Sequence, residues 1–284
     1  MPFTSKSGVN IHFELVGNPV MPPLVLTHGN GNCLDDWYHL GYVDRLKDRF
    51  HLILIDLRGF GESDKPREEA AYDPDLVARD VIAVLDEIGI EKAHYFGNSR
   101  GGSMAFLMGK RFPERFLSFI IGSAQPFGKD APQLSDAFED WLSKGIEHFV
   151  DMLELVLKIK LSDRHKGNFL RNSPDAMIAV SRVQINWPND SDCFIGKSTP
   201  RMLTYGTLDE LAAFNRKYKE EIDPGCDVIE LADFTHADAY RNGDIISDKI
   251  IAFHNKYFPV EPGGTYVFNG EKPEDSSLGK DAEV

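Results

Sequence analysis

The chain has 284 residues, of which 42% are hydrophobic, and a formal net charge of -14. That length buries a substantial core without disulfide or metal staples, and the acidity excludes a phosphate-tracking nucleic-acid surface, which needs clustered Lys and Arg. No apolar run reaches the roughly 20 residues that a membrane-spanning helix requires.

"MPFTSKSGVNIHFELVG" lacks the basic-then-apolar pattern of a signal peptide. Within it, "VNIHFELVG" alternates in polarity and ends at glycine, as an opening strand does. "PPLVLTHGNG" and "HLILIDLRGFGESD" are short apolar runs that end in glycine-rich loops. "DPDLVARDVIAVLDEIGI" has helical spacing, with Asp73 as N-cap before Pro74. "KAHYFG" reads as a strand and "RGGSMAFLMGKRF" as the helix that follows it. "RFLSFIIGSA", "PRMLTYG" and "DVIELAD" are further strands, and "DIISDKIIAFHNKYF" is the last helix.

Short apolar strands alternating with amphipathic helices predict an α/β fold, with a mostly parallel sheet covered on both faces. Residues 125–197 break the rhythm. They carry helical pattern only, "LSDAFEDWLSKGIEHFVDMLELVLKIKL" and then "SPDAMIAVSRVQINW". The expectation is a core of residues 1–124 and 198–260, a helical insert at 125–197, and a loosely attached acidic tail at 261–284, rich in Pro, Gly and charge. Cys33, Cys193 and Cys226 are too few and too scattered for a disulfide framework or a zinc site. A reduced, cytoplasmic protein is therefore expected, as monomer or homodimer, with no membrane partner.

The chemistry concentrates at "GNSRGG", where Ser99 lies between Gly97 and Gly101. A strand that runs straight into a helix needs a sharp turn with small neighbours, and a serine on that turn projects above the sheet edge. A serine hydroxyl needs a base, and the base needs a group that fixes its tautomer. "MLTYGTLDE" supplies Asp209 at one strand end and "VIELADFTHADAY" supplies His236 at the last. Glu210 and Asp233 are the alternative acids. Attack on a carbonyl also requires two preorganised N–H donors for the oxyanion. The backbone N–H groups of Asn30, in "HGNGN", and of Arg100 are the candidates.

These stretches resemble the α/β-hydrolase fold superfamily, in its cap-bearing esterase, haloperoxidase and epoxide-hydrolase-like branch. The resemblance runs from about Phe3 to Phe258. It is carried by "HGN", "DLRGFGESD", "GNSRGG", "RFPERFLSFI", "GTLD" and "THADAY" in that order. It implies an eight-stranded sheet, a helical cap at 125–197, and a Ser99–Asp209–His236 triad that needs no metal or organic cofactor.

Epoxide hydrolases and haloalkane dehalogenases of this branch use aspartate at the elbow, and here it is Ser99. Carbon–carbon hydrolases of the meta-cleavage type usually place tryptophan after the catalytic histidine, and here it is Ala237. The expected function is hydrolysis of a small-molecule carboxylic ester, thioester or lactone. Carbon–carbon hydrolysis, acyl transfer and ligand sensing are the rivals.

Trp37, Trp141, Phe149 and Trp187 are candidate pocket residues, although most such aromatics are simply core. Asp56, Arg58 and Ser63 read as loop-ordering residues, and Cys33 as a passive small hydrophobe. The Arg100 guanidinium has two readings: attraction of a substrate carboxylate, or, as the favoured one, an ion pair with a buried acid such as Asp56 or Asp80.

Overall fold

The computed structural model describes residues 2–127, 135–157 and 159–259. The expected acidic tail lies outside the described residues. The strands are β1 (Phe3–Thr4), β2 (Ile11–Val16), β3 (Pro23–Thr27), β4 (His51–Ile55), β5 (Ala93–Asn98), β6 (Phe116–Gly122), β7 (Arg201–Gly206) and β8 (Asp227–Leu231). They form one sheet in the order β1-β2-β4-β3-β5-β6-β7-β8. From β4 to β8 every pairing is parallel, and β2 alone runs against the others, antiparallel to both β1 and β4.

Strands β3, β4, β5 and β7 are buried at every residue. That is why they read as continuous apolar runs: helices cover both faces of a parallel sheet. The helices are α1 (Asp36–His39), α2 (Tyr42–Leu46), α3 (Pro74–Glu87), α4 (Arg100–Arg111), α5 (Ser135–Ser143), α6 (Ile146–Leu157), α7 (Asp163–Leu170), α8 (Pro174–Gln184), α9 (Ala212–Lys217), α10 (His236–Arg241) and α11 (Gly243–Tyr257). Alternate strand residues feed two cores. Leu24, Leu26, Leu52, Leu54 and Phe96 pack with Trp37, Tyr42 and the α11 residues Ile246, Ile250 and Phe253. Val25, Ile53, Tyr95, Phe119 and Leu203 pack on the other side with Val77 and Val81 of α3 and Met104 and Met108 of α4.

Asp73 caps α3 as its sequence suggests, accepting the Asp75 N–H at 2.9 Å. The insert differs from the sequence reading. The first long helical pattern is two helices, α5 and α6, parted at Gly145, whose φ of +109° no helix accommodates. Helix α7, capped by Ser162, was not legible at all.

The sheet order locates the crevice. From β3 the chain moves outward to β4 on one side, and from β5 it moves outward to β6 on the other. The loops leaving adjacent β3 and β5 therefore diverge, and ligands in open α/β sheets bind at such a reversal, outside the carboxyl ends of the strands.

Candidate active site

Strand β5 ends at Asn98 and α4 starts at Arg100, which leaves Ser99 alone to make the turn. Its backbone sits at φ +53°, ψ -117°, a region costly for any side-chain-bearing residue. Glycines make the turn possible. A Cβ on Gly97 would lie 2.1 Å from the Gly101 carbonyl oxygen, and one on Gly101 would lie 2.2 Å from the Thr27 carbonyl oxygen. The turn is pinned by the Ser99 N–H to the Gly122 carbonyl at 2.7 Å and the Gly101 N–H to the His28 carbonyl at 3.2 Å. The Tyr95 hydroxyl donates to the Gly101 carbonyl at 2.8 Å and accepts from Thr27 Oγ1 at 2.7 Å. Among the described residues, three that carry side chains have positive φ: Ser99, Ser123 and Asp233. Each follows a strand, β5, β6 or β8, at the same edge of the sheet.

Asp209 follows β7 and is buried. Its Oδ1 accepts the Leu211 N–H at 2.9 Å, and its Oδ2 lies 3.0 Å from His236 Nδ1. His236 opens α10, held by a reciprocal cap between Thr235 and Asp238. Its Nε2 lies 3.1 Å from Ser99 Oγ. The loops after β7 and β8 are in backbone contact: a Cβ on Gly206 would lie 2.0 Å from the Phe234 carbonyl oxygen. The structure thus brings Ser99, His236 and Asp209 into one hydrogen-bonded run. The alternative acids are not in it: Asp233 is exposed and meets Thr207 only through its main-chain N–H, which donates to Oγ1 at 2.9 Å, and Glu210 is exposed at the cavity rim.

The charges are mutually supporting. Burial disfavours the Asp209 carboxylate, but the bond to His236 and the imidazolium charge outweigh it and lower its pKa. Burial likewise disfavours the His236 imidazolium, but the Asp209 bond and charge, with the field of Glu210, outweigh it and raise its pKa.

The "HGN" loop lies against the serine: a Cβ on Gly29 would sit 3.3 Å from Ser99 Cβ. Buried His28 orders this loop. Its Nδ1–H donates to the Gly29 carbonyl at 2.8 Å while its Nε2 accepts the Leu57 N–H at 3.1 Å, an arrangement of the neutral ring. Asn30 and Arg100 both border the cavity above Ser99, and neither main-chain N–H donates to another described residue. Asp56 fixes the same region as a loop-ordering residue, accepting the N–H groups of Leu34 at 2.7 Å and Glu62 at 2.9 Å.

The cavity measures ≈ 430 Å³. Phe138, Trp141, Phe149, Leu153 and Phe169 from the inserted helices line one part of it. Trp37 does not line it. It is fully buried, packed against Tyr42, Phe96 and Tyr240, because α1 carries it into the core shared with α11. Trp187 also falls outside the lining, with its indole N–H bonded to the Tyr72 carbonyl at 3.1 Å. Cys33 is buried, and its thiol is pushed up to about 12, chiefly by burial. Sequence reasoning missed Gln125, Ser181 and Gln184, which border the cavity and carry no motif.

The favoured ion pair of Arg100 does not form. Asp80 is held by Arg58 at 2.7 and 2.9 Å, and Asp56 by His12 at 2.7 Å. The guanidinium instead meets the carboxamide oxygen of Gln184 and lies 5.1 Å from the Trp187 ring and 5.8 Å from the Phe60 ring.

One group of described residues has metal-ligand character. Asp36, His39 and His165 offer atoms within 4.8 Å of one another. Asp36 already accepts from Asn168 at 2.7 Å and from the Cys33 N–H at 3.2 Å, and His165 bonds Asn32 at 3.0 Å, so two of the three are engaged, while His39 Nε2 has no hydrogen-bond partner among the described residues. Among the described residues, no helix is long and apolar enough to cross a membrane.

A family model described as alpha/beta hydrolase fold matches residues 22–156. Among curated proteins, epoxide hydrolase 4 of Mus musculus is 30% identical over 115 residues, covering 40% of this chain and 32% of that protein. The chain therefore spans about a third of that relative's length. A component of the acetoin cleaving system of Cupriavidus necator, a dihydrolipoyllysine-residue acetyltransferase, is 29% identical over 181 residues, covering 64% of this chain and 45% of that protein. Among solved structures, an enol-lactonase from Burkholderia xenovorans aligns with a TM-score of 0.76 at 20% identity, covering 89% of this chain and 99% of that one. An esterase from Rhodococcus sp. aligns with a TM-score of 0.75 at 21% identity, covering 88% and 96%.

Proposed function

This chain belongs to the α/β-hydrolase superfamily, and from that membership we propose that it is a serine hydrolase cleaving a carboxylic ester, thioester or lactone. The observation that carries the reading is the run Asp209–His236–Ser99, with links of 3.0 and 3.1 Å. An enol-lactonase and an esterase among the solved neighbours agree with it.

In this reading His236 Nε2 takes the Ser99 proton as Oγ attacks the carbonyl carbon. Asp209 holds the Nδ1–H tautomer and stabilises the imidazolium that forms. The negative charge on the former carbonyl oxygen is received by the N–H groups of Asn30 and Arg100, which have no acceptor among the described residues to give up. Removing one such donor typically costs about 3 kcal/mol of barrier. His236 then passes its proton to the leaving group, and an acyl-Ser99 ester remains. Water, deprotonated by His236, cleaves that ester and restores the hydroxyl. The inserted helices act as a cap that shapes the cavity and keeps bulk water from the reacting centre.

The test is hydrolysis of p-nitrophenyl esters by the wild type and by Ser99→Ala, with a fluorophosphonate label located by peptide mass. The wild type turns over and labels at Ser99, and Ser99→Ala loses at least about a thousandfold in kcat. Stoichiometric ligand binding without turnover would make the protein a receptor instead.

A further inference from the structure

Arg100 is the residue after the nucleophile, and only 4% of it is exposed. A guanidinium carries five N–H donors and cannot shed its charge at ordinary pH. Here Nη1 donates to Gln184, while Nε and Nη2 have no partner among the described residues. Nor does any described carboxylate pair with it, and the two acids expected from the sequence, Asp56 and Asp80, are engaged elsewhere. Buried charges are otherwise paired.

The surroundings are unfinished in the same way. Ser181 and Gln125 border the same cavity and are 2% and 7% exposed, and the Ser181 Oγ and Gln125 Oε1 have no hydrogen-bond partner among the described residues. The two aromatic faces beside the guanidinium, Trp187 and Phe60, stabilise a cation but do not neutralise it. Burial has the electrostatic effect expected of an uncompensated cation, lowering the Arg100 pKa to about 10.

We propose that the Arg100 guanidinium receives a carboxylate of the substrate, so that the preferred substrate is a small ester that also carries a free carboxylate. This rests on the serine-hydrolase reading of the same cavity. The neutral carboxamide of Gln184 now occupies the position at Nη1 that the anion takes. A carboxylate there bridges Nη1 and Nη2 with two parallel bonds, which a carboxamide oxygen cannot do. The displaced Gln184 and the Ser181 hydroxyl remain to donate to its outer lone pairs. The oxyanion donor and the anion receptor then belong to one residue, which fixes the carboxylate within a few bonds of the carbonyl attacked by Ser99.

The experiment compares kcat/KM for pairs of p-nitrophenyl esters matched in acyl length, one hemi-dicarboxylate and one neutral. A second pair places the carboxylate on the alcohol side. The readout is the anionic-to-neutral ratio. In the wild type it exceeds one for at least one pair. In Arg100→Met it falls by at least about tenfold, whatever becomes of the absolute rates. Arg100→Lys, which keeps the charge but not the fork, recovers part of it. Gln184→Glu gives the guanidinium its own counter-ion without touching the elbow and lowers the ratio too, so the test survives if Arg100→Met does not fold.

A wild-type ratio near one in both pairs, or a ratio unmoved by Arg100→Met and Gln184→Glu, overturns the proposal and leaves Arg100 as an anchor between the elbow and α8. If the wild type cleaves no ester, the hydrolase reading fails by itself. The receptor is then decided by calorimetry with glutarate: binding that is lost in Gln184→Glu upholds it, and absence of binding to the wild type overturns it.

Discussion

The imidazole of His236 reaches Ser99 Oγ at 3.1 Å across 137 residues of chain. Parallel pairing is what closes that separation. Strands β5, β7 and β8 point the same way, so the loops that leave their carboxyl ends meet at one edge of the sheet, and each contributes one member of the run.

In the proposed mechanism the base must be neutral at rest, so the raised pKa of His236 is expected to set the acid limb of activity. The limb of kcat/KM falls as pH drops through a value above 6.5, the ordinary imidazole value. Asp209→Asn removes the group that raises it. The limb then moves to lower pH, and kcat drops by about four orders of magnitude. A pH–rate profile of both proteins checks this, and a limb that stays in place would separate Asp209 from the titration.

At the elbow, Gly101→Ala puts a methyl group against the Thr27 backbone, which has no rotamer with which to yield. A loss of about 1–3 kcal/mol in stability is expected from overpacking, together with a kcat loss larger than that of Gly89→Ala. A Cβ on Gly89 meets nothing within 4 Å, although its φ of +69° still strains it. Denaturant melts and ester assays on the pair distinguish crowding at the site from general glycine replacement.

Phe149 and Trp141 close the apolar part of the cavity. Phe149→Ala lengthens that part, so the optimum in a p-nitrophenyl ester series moves to longer acyl chains. Truncating a buried Phe typically costs about 3–5 kcal/mol of stability, and this change does so at the lower end because one side of the ring already faces space. An unchanged chain-length optimum would place the acyl group elsewhere.

Glu154 in α6 ties the inserted helices together. It accepts the Leu161 N–H at 2.8 Å, Lys166 at 3.0 Å and Lys160 at 3.2 Å, and these bonds lower its pKa to about 2. Its folded value lies below its ordinary 4.5, so its contribution is complete above pH 4.5 and disappears as pH falls towards 2. Glu154→Gln should lower the melting temperature at neutral pH and reduce the loss seen on acidification over that window, measured by circular dichroism.

The core was readable because its signals are local. Buried parallel strands must be apolar at both faces, and a strand-to-helix turn with no room for Cβ must be glycine on either side of Ser99. Asp209 and His236 were readable because each follows a strand legible in the sequence, β7 and β8. The break at Gly145 was missed because a single glycine only weakens a helical pattern, and its positive φ is set by how α5 and α6 pack. Trp37 was misplaced because periodicity gives no information on which side of the sheet a short helix lands. The solitary Arg100 could not be foreseen, since the partners of a buried charge come from distant segments: Asp80 was taken by Arg58, and Gln184 arrives only with α8.

The crowding at the elbow also divides the molecule by what can be altered. Main chain presses on main chain from Gly97 to Gly101 and from Gly206 to Phe234, so the floor of the cavity admits almost no remodelling. A lineage or an engineer retooling this scaffold for another substrate must therefore work in the roof, where side chains rather than backbone meet the guest.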